Sequence, residues 1–289
     1  MKSISAKNLI PWMCGAVLAV IALAVAFLIL KSGAPAKEGH HVVIFGDSII
    51  SYVQDETSVV NMIKDKTGMD VFDLSFGGTQ MAMSLETETL GNKRNYLCMY
   101  SIAQSFYTGD FSLQNSYIST DITTDYFPGR ISQFETVDLA KTDIVIIEQC
   151  LNDYHSRTPI TSDDGSEYSY TGALTAVVSY MRSINPDIRI IILSPTKKWI
   201  EEGVEAYDHD YGSGTLAQYL DAQRRTADRL GVEYLDMTGI YDAEYVNELG
   251  EVITGYGYTA DGTHPNCYGR MAISDFISEY LKETENDGK

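Results

Sequence analysis

His41-Val-Val-Ile-Phe-Gly-Asp-Ser-Ile-Ile50 is the stretch on which the reading of this chain turns. Its first half, His41 to Phe45, is a short apolar run of the kind that forms a strand buried on both faces. Strands of that kind belong to parallel sheets covered by helices. Gly46-Asp47-Ser48 then brings a hydroxyl to the carboxyl end of the strand, where open α/β sheets hold their ligands. Asp and Ser also cap helices well, so the tripeptide alone is equally a loop with an N-cap.

Working outward, the same rhythm repeats. A helical pattern runs to about Lys66 and closes at Gly68. Val71–Ser75, Asp143–Ile147, Ile188–Leu193 and Val232–Asp236 read as further strands. Helical patterns cover Gly172–Ile184, Thr215–Leu230 (ending at Gly231) and a last helix from about Pro265 to Glu283. Strand and helix alternate, so the expected architecture is a doubly wound α/β sheet of five parallel strands. No internal repeat or low-complexity tract interrupts it.

One stretch breaks the rhythm. Gly77 to Thr142 separates the second and third strands and carries Tyr96, Tyr100, Phe106, Tyr107, Phe111, Tyr117, Tyr126 and Phe127. A structureless loop of that length is rare in a folded domain, so a helix and a folded insertion at residues 79–140 are expected. Its aromatic residues suit a small satellite core. They equally suit a cleft wall that receives sugar or acyl groups, because Tyr joins an apolar ring to a polar tip.

The chain has 289 residues, 44% apolar and 21% charged, an ordinary globular composition. Its formal charge is −19, which argues against an electrostatically driven nucleic-acid binder. The charge is unevenly placed. Lys2, Lys7, Lys31 and Lys37 precede the first acidic residue, Glu38, so residues 38–289 carry 17 basic against 40 acidic side chains. Such a surface is repelled by anionic lipid and polyanions.

Leu9 to Leu30 contains no charge, and as a helix it would span about 33 Å, enough to cross a hydrocarbon core. Trp12 stands near one end, where interfacial anchors sit. The expected organisation is a short cytoplasmic tail at 1–8, a transmembrane helix at 9–30, a linker at 31–40 and an extracytoplasmic domain at 41–289. The competing reading is a signal peptide cleaved near Ala36, since Ala34-Pro35-Ala36 has the small-x-small form, and the domain would then be secreted. The apolar run is longer than the usual signal core of ~7–15 residues, which favours the anchor. Cys14 lies within the run. Cys98, Cys150 and Cys267 lie outside it, an odd number that is no disulfide scaffold.

The far end of the chain gives Ser48 a partner. In Asp261-Gly-Thr-His264-Pro-Asn266, one turn suffices to join the carboxylate to one imidazole nitrogen, leaving the other to face a hydroxyl. A capping or surface histidine at a helix start is the plain alternative. After the third strand, Glu148-Gln149-Cys150-Leu151-Asn152-Asp153 offers the Asn152 amide at the same sheet edge. A tetrahedral oxyanion needs such donors, and losing one costs on the order of 3 kcal/mol. After the second strand, Phe76-Gly77-Gly78-Thr79 lets a backbone N–H approach a substrate closely, or simply permits a tight turn.

These four blocks, in this order and each after its strand, resemble the SGNH (GDSL-type) hydrolase superfamily of esterases and lipases. The resemblance covers about residues 42–282. It implies a flavodoxin-like three-layer α/β/α fold, and Ser48 as nucleophile. His264 would act as general base and then acid, with Asp261 orienting it. The oxyanion hole would be the Ser48 and Gly78 N–H groups with the Asn152 side chain. An acyl-Ser48 intermediate would form, and no metal or organic cofactor is implied. Cys150 replaces the family's usual glycine, Asp73 an asparagine and Ile49 a leucine.

The expected substrates are esters at the cell surface, foremost O-acetyl groups on polysaccharide. Lipid acyl esters, as for a lysophospholipase, and O-acyl transfer to a sugar use the same residues. A catalytically silent carbohydrate-binding module is the reading from another class; joint retention of Ser48, Asn152, Asp261 and His264 argues against it. Asp208-His209-Asp210 reads as solvated surface, and His155 as a candidate lining residue of the pocket. Cys150 and Cys267 each stand near a site residue, either as free thiols or as a bridge.

Overall fold

Val42, Val43 and Ile44 are wholly buried, and their β-branched side chains suit a pleated surface covered on both sides; they form β1 (His41–Gly46). In this computed structural model, residues 41–85, 95–118, 125–162 and 165–287 are described. All belong to the unit His40–Lys289, which is distinct from Met1–Gly39. The expected tail, transmembrane helix and linker therefore lie outside the described residues. Among the described residues, no helix is long and apolar enough to cross a membrane.

After β1 come α1 (Ser48–Ser51), α2 (Val59–Thr67) and β2 (Asp70–Asp73). A 3₁₀ turn at Asn95–Leu97 leads to α3 (Met99–Thr108), α4 (Ser112–Tyr117) and α5 (Phe127–Ile131). Then follow β3 (Ile144–Glu148), α6 (Leu151–His155), α7 (Tyr170–Ile184) and β4 (Arg189–Leu193). A hairpin β5 (Trp199–Glu201)–β6 (Val204–Glu205) precedes α8 (Leu216–Leu230) and β7 (Glu233–Leu235). A second hairpin, β8 (Tyr245–Val246)–β9 (Val252–Ile253), leads to α9 (Cys267–Asp287).

The main sheet has five parallel strands in the order β2-β1-β3-β4-β7. The chain moves one way from β1 to β2 and the other way from β3 onward. Right-handed crossovers then place their helices on opposite faces. Accordingly α2 packs against α9, while α3, α7 and α8 pack together, giving three layers. The reversal lies between β1 and β3, so the loops that leave these two strands frame a crevice at their carboxyl ends.

Caps set the helix limits. Ser58 accepts the Asn61 N–H to start α2, and Gly68, at φ 70°, ends it. Thr215 and Gln218 form a capping box on α8. The expected single helix after β1 is broken, because Asp55 Oδ1 takes the Thr57 N–H and hydroxyl and Ser58 restarts the helix. Beyond β2 the chain keeps its place beside β1, through Leu74 N–H to Ile44 and Phe76 N–H to Gly46.

The aromatic residues between β2 and β3 are not a separate core. Phe106 meets Phe45 of β1 at 6.0 Å and Phe134 at 5.6 Å, and Phe127 meets Phe76 at 5.1 Å. The hairpins escape a periodicity reading because their strands are two or three residues long. Around them Trp199, Tyr241 and Tyr258 form a second small core.

Candidate active site

Gly46 ends β1 where a Cβ would lie 2.8 Å from Ile50 Cγ1 and 3.1 Å from Ser75 Oγ, so no side chain fits. Asp47 then caps α1, its Oδ1 accepting the Ile49 N–H at 2.8 Å. This makes Ser48 the first residue of a helix aimed out of the sheet, and the first N–H of a helix has no intrahelical acceptor.

Ser48 Oγ lies 3.0 Å from His264 Nε2, and His264 Nδ1 lies 2.7 Å from Asp261 Oδ2. The short spacing works as a turn: Asp261 Oδ1 accepts the backbone N–H of Thr263 at 3.0 Å and of His264 at 2.8 Å. Burial acts to raise the Asp261 carboxyl, but hydrogen bonds from the His264 ring and from these two N–H groups outweigh it and hold it below the usual range. The carboxylate therefore stays ionised beside the imidazole. The Tyr52 ring stacks on His264, centroids 4.7 Å apart and planes at 20°.

Gly78 occupies φ 73°, which its turn requires; the turn is closed by the Thr79 N–H on the Phe76 carbonyl at 3.3 Å. Among the described residues nothing accepts the Gly78 N–H. The loop abuts the serine, since a Cβ on Gly77 would stand 3.7 Å from Ser48 Cβ. Asn152 also reaches the crevice, but its amide is engaged. Nδ2 donates to Asp47 Oδ2 and to the Thr79 carbonyl, both at 2.9 Å. An oxyanion at Asn152 has to share or displace one of these bonds.

A cavity of about 110 Å³ is lined by Asp47, Ser48, Ile49, Leu151, Asn152, His155, Thr263 and His264. His155 thus belongs to the pocket. Burial, then the charges of Lys198 and His264, lowers its pKa to about 4, so the ring is neutral near pH 7. Lys198 went unmarked in the sequence. It is 8% exposed, and its Nζ donates to Thr263 Oγ1 at 2.5 Å. Burial lowers its pKa, against the attraction of Asp261.

Two buried carboxyls under the site, Glu148 and Asp153, carry no site signal of their own in the sequence. Burial, then the charge of Asp47, pushes Glu148 well above the usual range. Burial also lifts Asp47 itself to about 6, against the Ile49 N–H and the other groups facing it, Glu148, His264 and Asn152. Asp153 accepts the N–H groups of Met81 at 2.7 Å and Ala82 at 3.0 Å, so α6 grips the chain just beyond Gly78. Its position next to Asn152 was the only available signal.

The departures from the family pattern have physical answers. Cys150 has φ −167°, outside the left-handed region that favours glycine. Its thiol is buried, and Cys98, Cys150 and Cys267 are all free, so no bridge joins Cys150 to Cys267. Asp73 pairs with Arg130 at 2.7 Å and accepts the Ser75 N–H at 2.9 Å. Asp210 accepts the N–H groups of Gly212 and Gly214 and so closes a turn.

The model of the GDSL-like lipase/acylhydrolase family matches residues 102–270, more than half of the chain. The chain belongs to the GDSL-like lipase/acylhydrolase family. It is thus an ester hydrolase. The match includes Asn152, Asp261 and His264, while Ser48 and Gly78 lie upstream of it. No curated protein matches the sequence.

Solved structures share this GDSL-like fold at low identity. A possible lipase from Chitinophaga pinensis has 13% identity and a TM-score of 0.54, covering 85% of this chain and 98% of its own. A salicylyl-acyltransferase from a tetracycline biosynthetic pathway has 15% identity and a TM-score of 0.52, covering 86% of this chain and 56% of its own. An acetyl xylan esterase has 15% identity and a TM-score of 0.50, covering 83% of this chain and 99% of its own.

Proposed function

We propose that this GDSL-like hydrolase removes short acyl groups, foremost O-acetyl groups on polysaccharide, outside the cytoplasm, with residues 9–30 as its membrane anchor. The observation that carries the chemistry is the unbroken line Ser48 Oγ–His264–Asp261. Ser48 Oγ attacks the ester carbonyl while His264 Nε2 takes its proton. That proton passes to the leaving alcohol, which departs and leaves acyl-Ser48. Water then attacks the acyl carbon, losing a proton to His264, which returns it to Ser48 as the acid leaves.

The Ser48 and Gly78 N–H groups receive the oxyanion, joined by Asn152 once one of its amide bonds yields. The small cavity beside Ser48 favours an acetyl over a long acyl chain. Tyr52, 56% exposed over His264, offers a ring face to a sugar.

The test is hydrolysis of chromogenic acetate, butyrate and octanoate esters by the full chain in detergent, with Ser48→Ala alongside. The expected result is acetate preferred, and turnover abolished by Ser48→Ala. An octanoate preference would sink the short-acyl reading, and residual turnover in Ser48→Ala would sink the serine assignment. Fractionation tests the anchor: release of the full chain from membranes by salt or carbonate, without detergent, would contradict it.

A further inference from the structure

The β2–β3 connection brings one hydroxyl against the backbone that frames the site. Tyr126, just ahead of α5, accepts the Gly77 N–H at 2.9 Å and lies 2.9 Å from Ser51 Oγ. The polarity of this chain is determined. Ser51 uses its own hydrogen on the Asp47 carbonyl at 2.9 Å, so Ser51 Oγ accepts from Tyr126. Hydrogen bonds thus run without a break from Gly77 N–H through Tyr126 and Ser51 to the carbonyl of Asp47. Their two ends are the neighbours of Gly78 and Ser48, whose N–H groups are the proposed oxyanion donors.

We propose that Tyr126 is a positioning residue, whose hydroxyl couples the Gly77-Gly78 loop to the start of α1 and so holds the two backbone oxyanion donors in register. Several observations support a built device rather than a passing contact. The fit is close, since a Cβ on Gly77 would come within 3.1 Å of the Tyr126 oxygen. The Tyr126 ring has the Arg130 guanidinium over it, 4.8 Å from its centroid, and meets Phe127 edge to face at 4.8 Å.

Arg130 is itself pinned at the same loop. It pairs with Asp73 at 2.7 Å and donates to the Ser75 carbonyl and to Gln54 Oε1. One short segment, Tyr126 to Arg130, therefore grips both the strand end before the glycine loop and the helix after Ser48. Neither Tyr126 nor Arg130 lines the cavity, so the role is indirect.

The inference rests on the reading of Ser48 and Gly78 as the oxyanion site, and the experiment separates the two. Tyr126→Phe keeps the ring and removes only the oxygen. With the full chain in detergent, kcat on the acetate ester is expected to fall about tenfold, less than the ~10²–10³ for loss of an oxyanion donor itself. KM stays within about twofold, and the pH profile keeps its shape, because His264 and Asp261 are untouched. Ser51→Ala breaks the next link; its effect and that of Tyr126→Phe should not add in the double variant.

Phe111→Leu, which packs on Phe106 and Phe134 and touches neither Tyr126 nor the glycine loop, is expected to lower the melting temperature and leave kcat alone. Amide hydrogen exchange provides a readout independent of turnover: Gly77 is expected to exchange about tenfold faster in Tyr126→Phe. Unchanged Gly77 exchange overturns the inference whether or not the enzyme turns over esters. So does a kcat within twofold of the native value, additivity with Ser51→Ala, or a matching kcat loss in Phe111→Leu. Altered Gly77 exchange in a protein that cleaves no ester supports the coupling and sinks instead the esterase reading.

Discussion

Asp153 allows a prediction that can be worked through in numbers. It is fully buried beside Asn152, with both oxygens accepting backbone N–H groups, from Met81 at 2.7 Å and Ala82 at 3.0 Å. Burial raises its carboxyl from 3.8 to about 7, against those two donors. A carboxyl raised in the folded state takes up a proton on folding. Its cost to stability is absent below the unfolded value near 3.8 and complete above about 7.

The full span is worth about 4 kcal/mol, of which about 2.5 kcal/mol accrues between about pH 5 and pH 8. For a domain of this size that is about 5–10 °C in Tm. Asp153→Asn abolishes the titration, but turns an NH₂ toward a backbone N–H and costs about 1–3 kcal/mol at every pH. The variant should therefore be clearly less stable than the native protein near pH 5, and the gap should close by about 2.5 kcal/mol near pH 8. Asp47 and Glu148, whose carboxyls are also raised, are present in both proteins, and the Asp47 charge that helps to raise Asp153 acts in the same direction. Scanning calorimetry of both proteins across this range is the assay. A gap that holds constant, or widens as pH rises, refutes the reasoning.

Asp261→Asn should lower kcat by about 10⁴ in steady-state ester hydrolysis while KM changes little, because the orienting carboxylate at Nδ1 is lost. Gly172→Ala should cost about 1–3 kcal/mol of stability, read by calorimetry as a lower melting temperature, since the new Cβ would sit 2.2 Å from the Ser166 carbonyl oxygen. Cys150→Gly restores the residue more usual in the family, yet should leave kcat unchanged and cost about 1 kcal/mol in denaturant unfolding. The backbone there needs no glycine, and a buried side chain is removed.

The β-branched runs at Val42–Ile44 and Ile144–Ile147, and the boundary signals at Gly68, Thr215 and Gly231, were enough to read strands, helices and their alternation, though not the break before Ser58. Such features depend on neighbours a few residues apart, and chain order carries them. The Asp261–His264 turn is local in the same sense, which is why that pair was legible before the fold.

What could not be read depends on which atoms the folded register brings into hydrogen-bond range. Asn152 was marked as an amide donor, but only packing decided that its two hydrogens go to Asp47 and Thr79. Lys198 meets Thr263 across 65 positions, and Tyr126 meets Gly77 across 49. A polar side chain must find a partner once buried. Sequence shows that the need exists, but the partner is chosen by the sheet order β2-β1-β3 and by the helices that bring distant segments over one sheet edge.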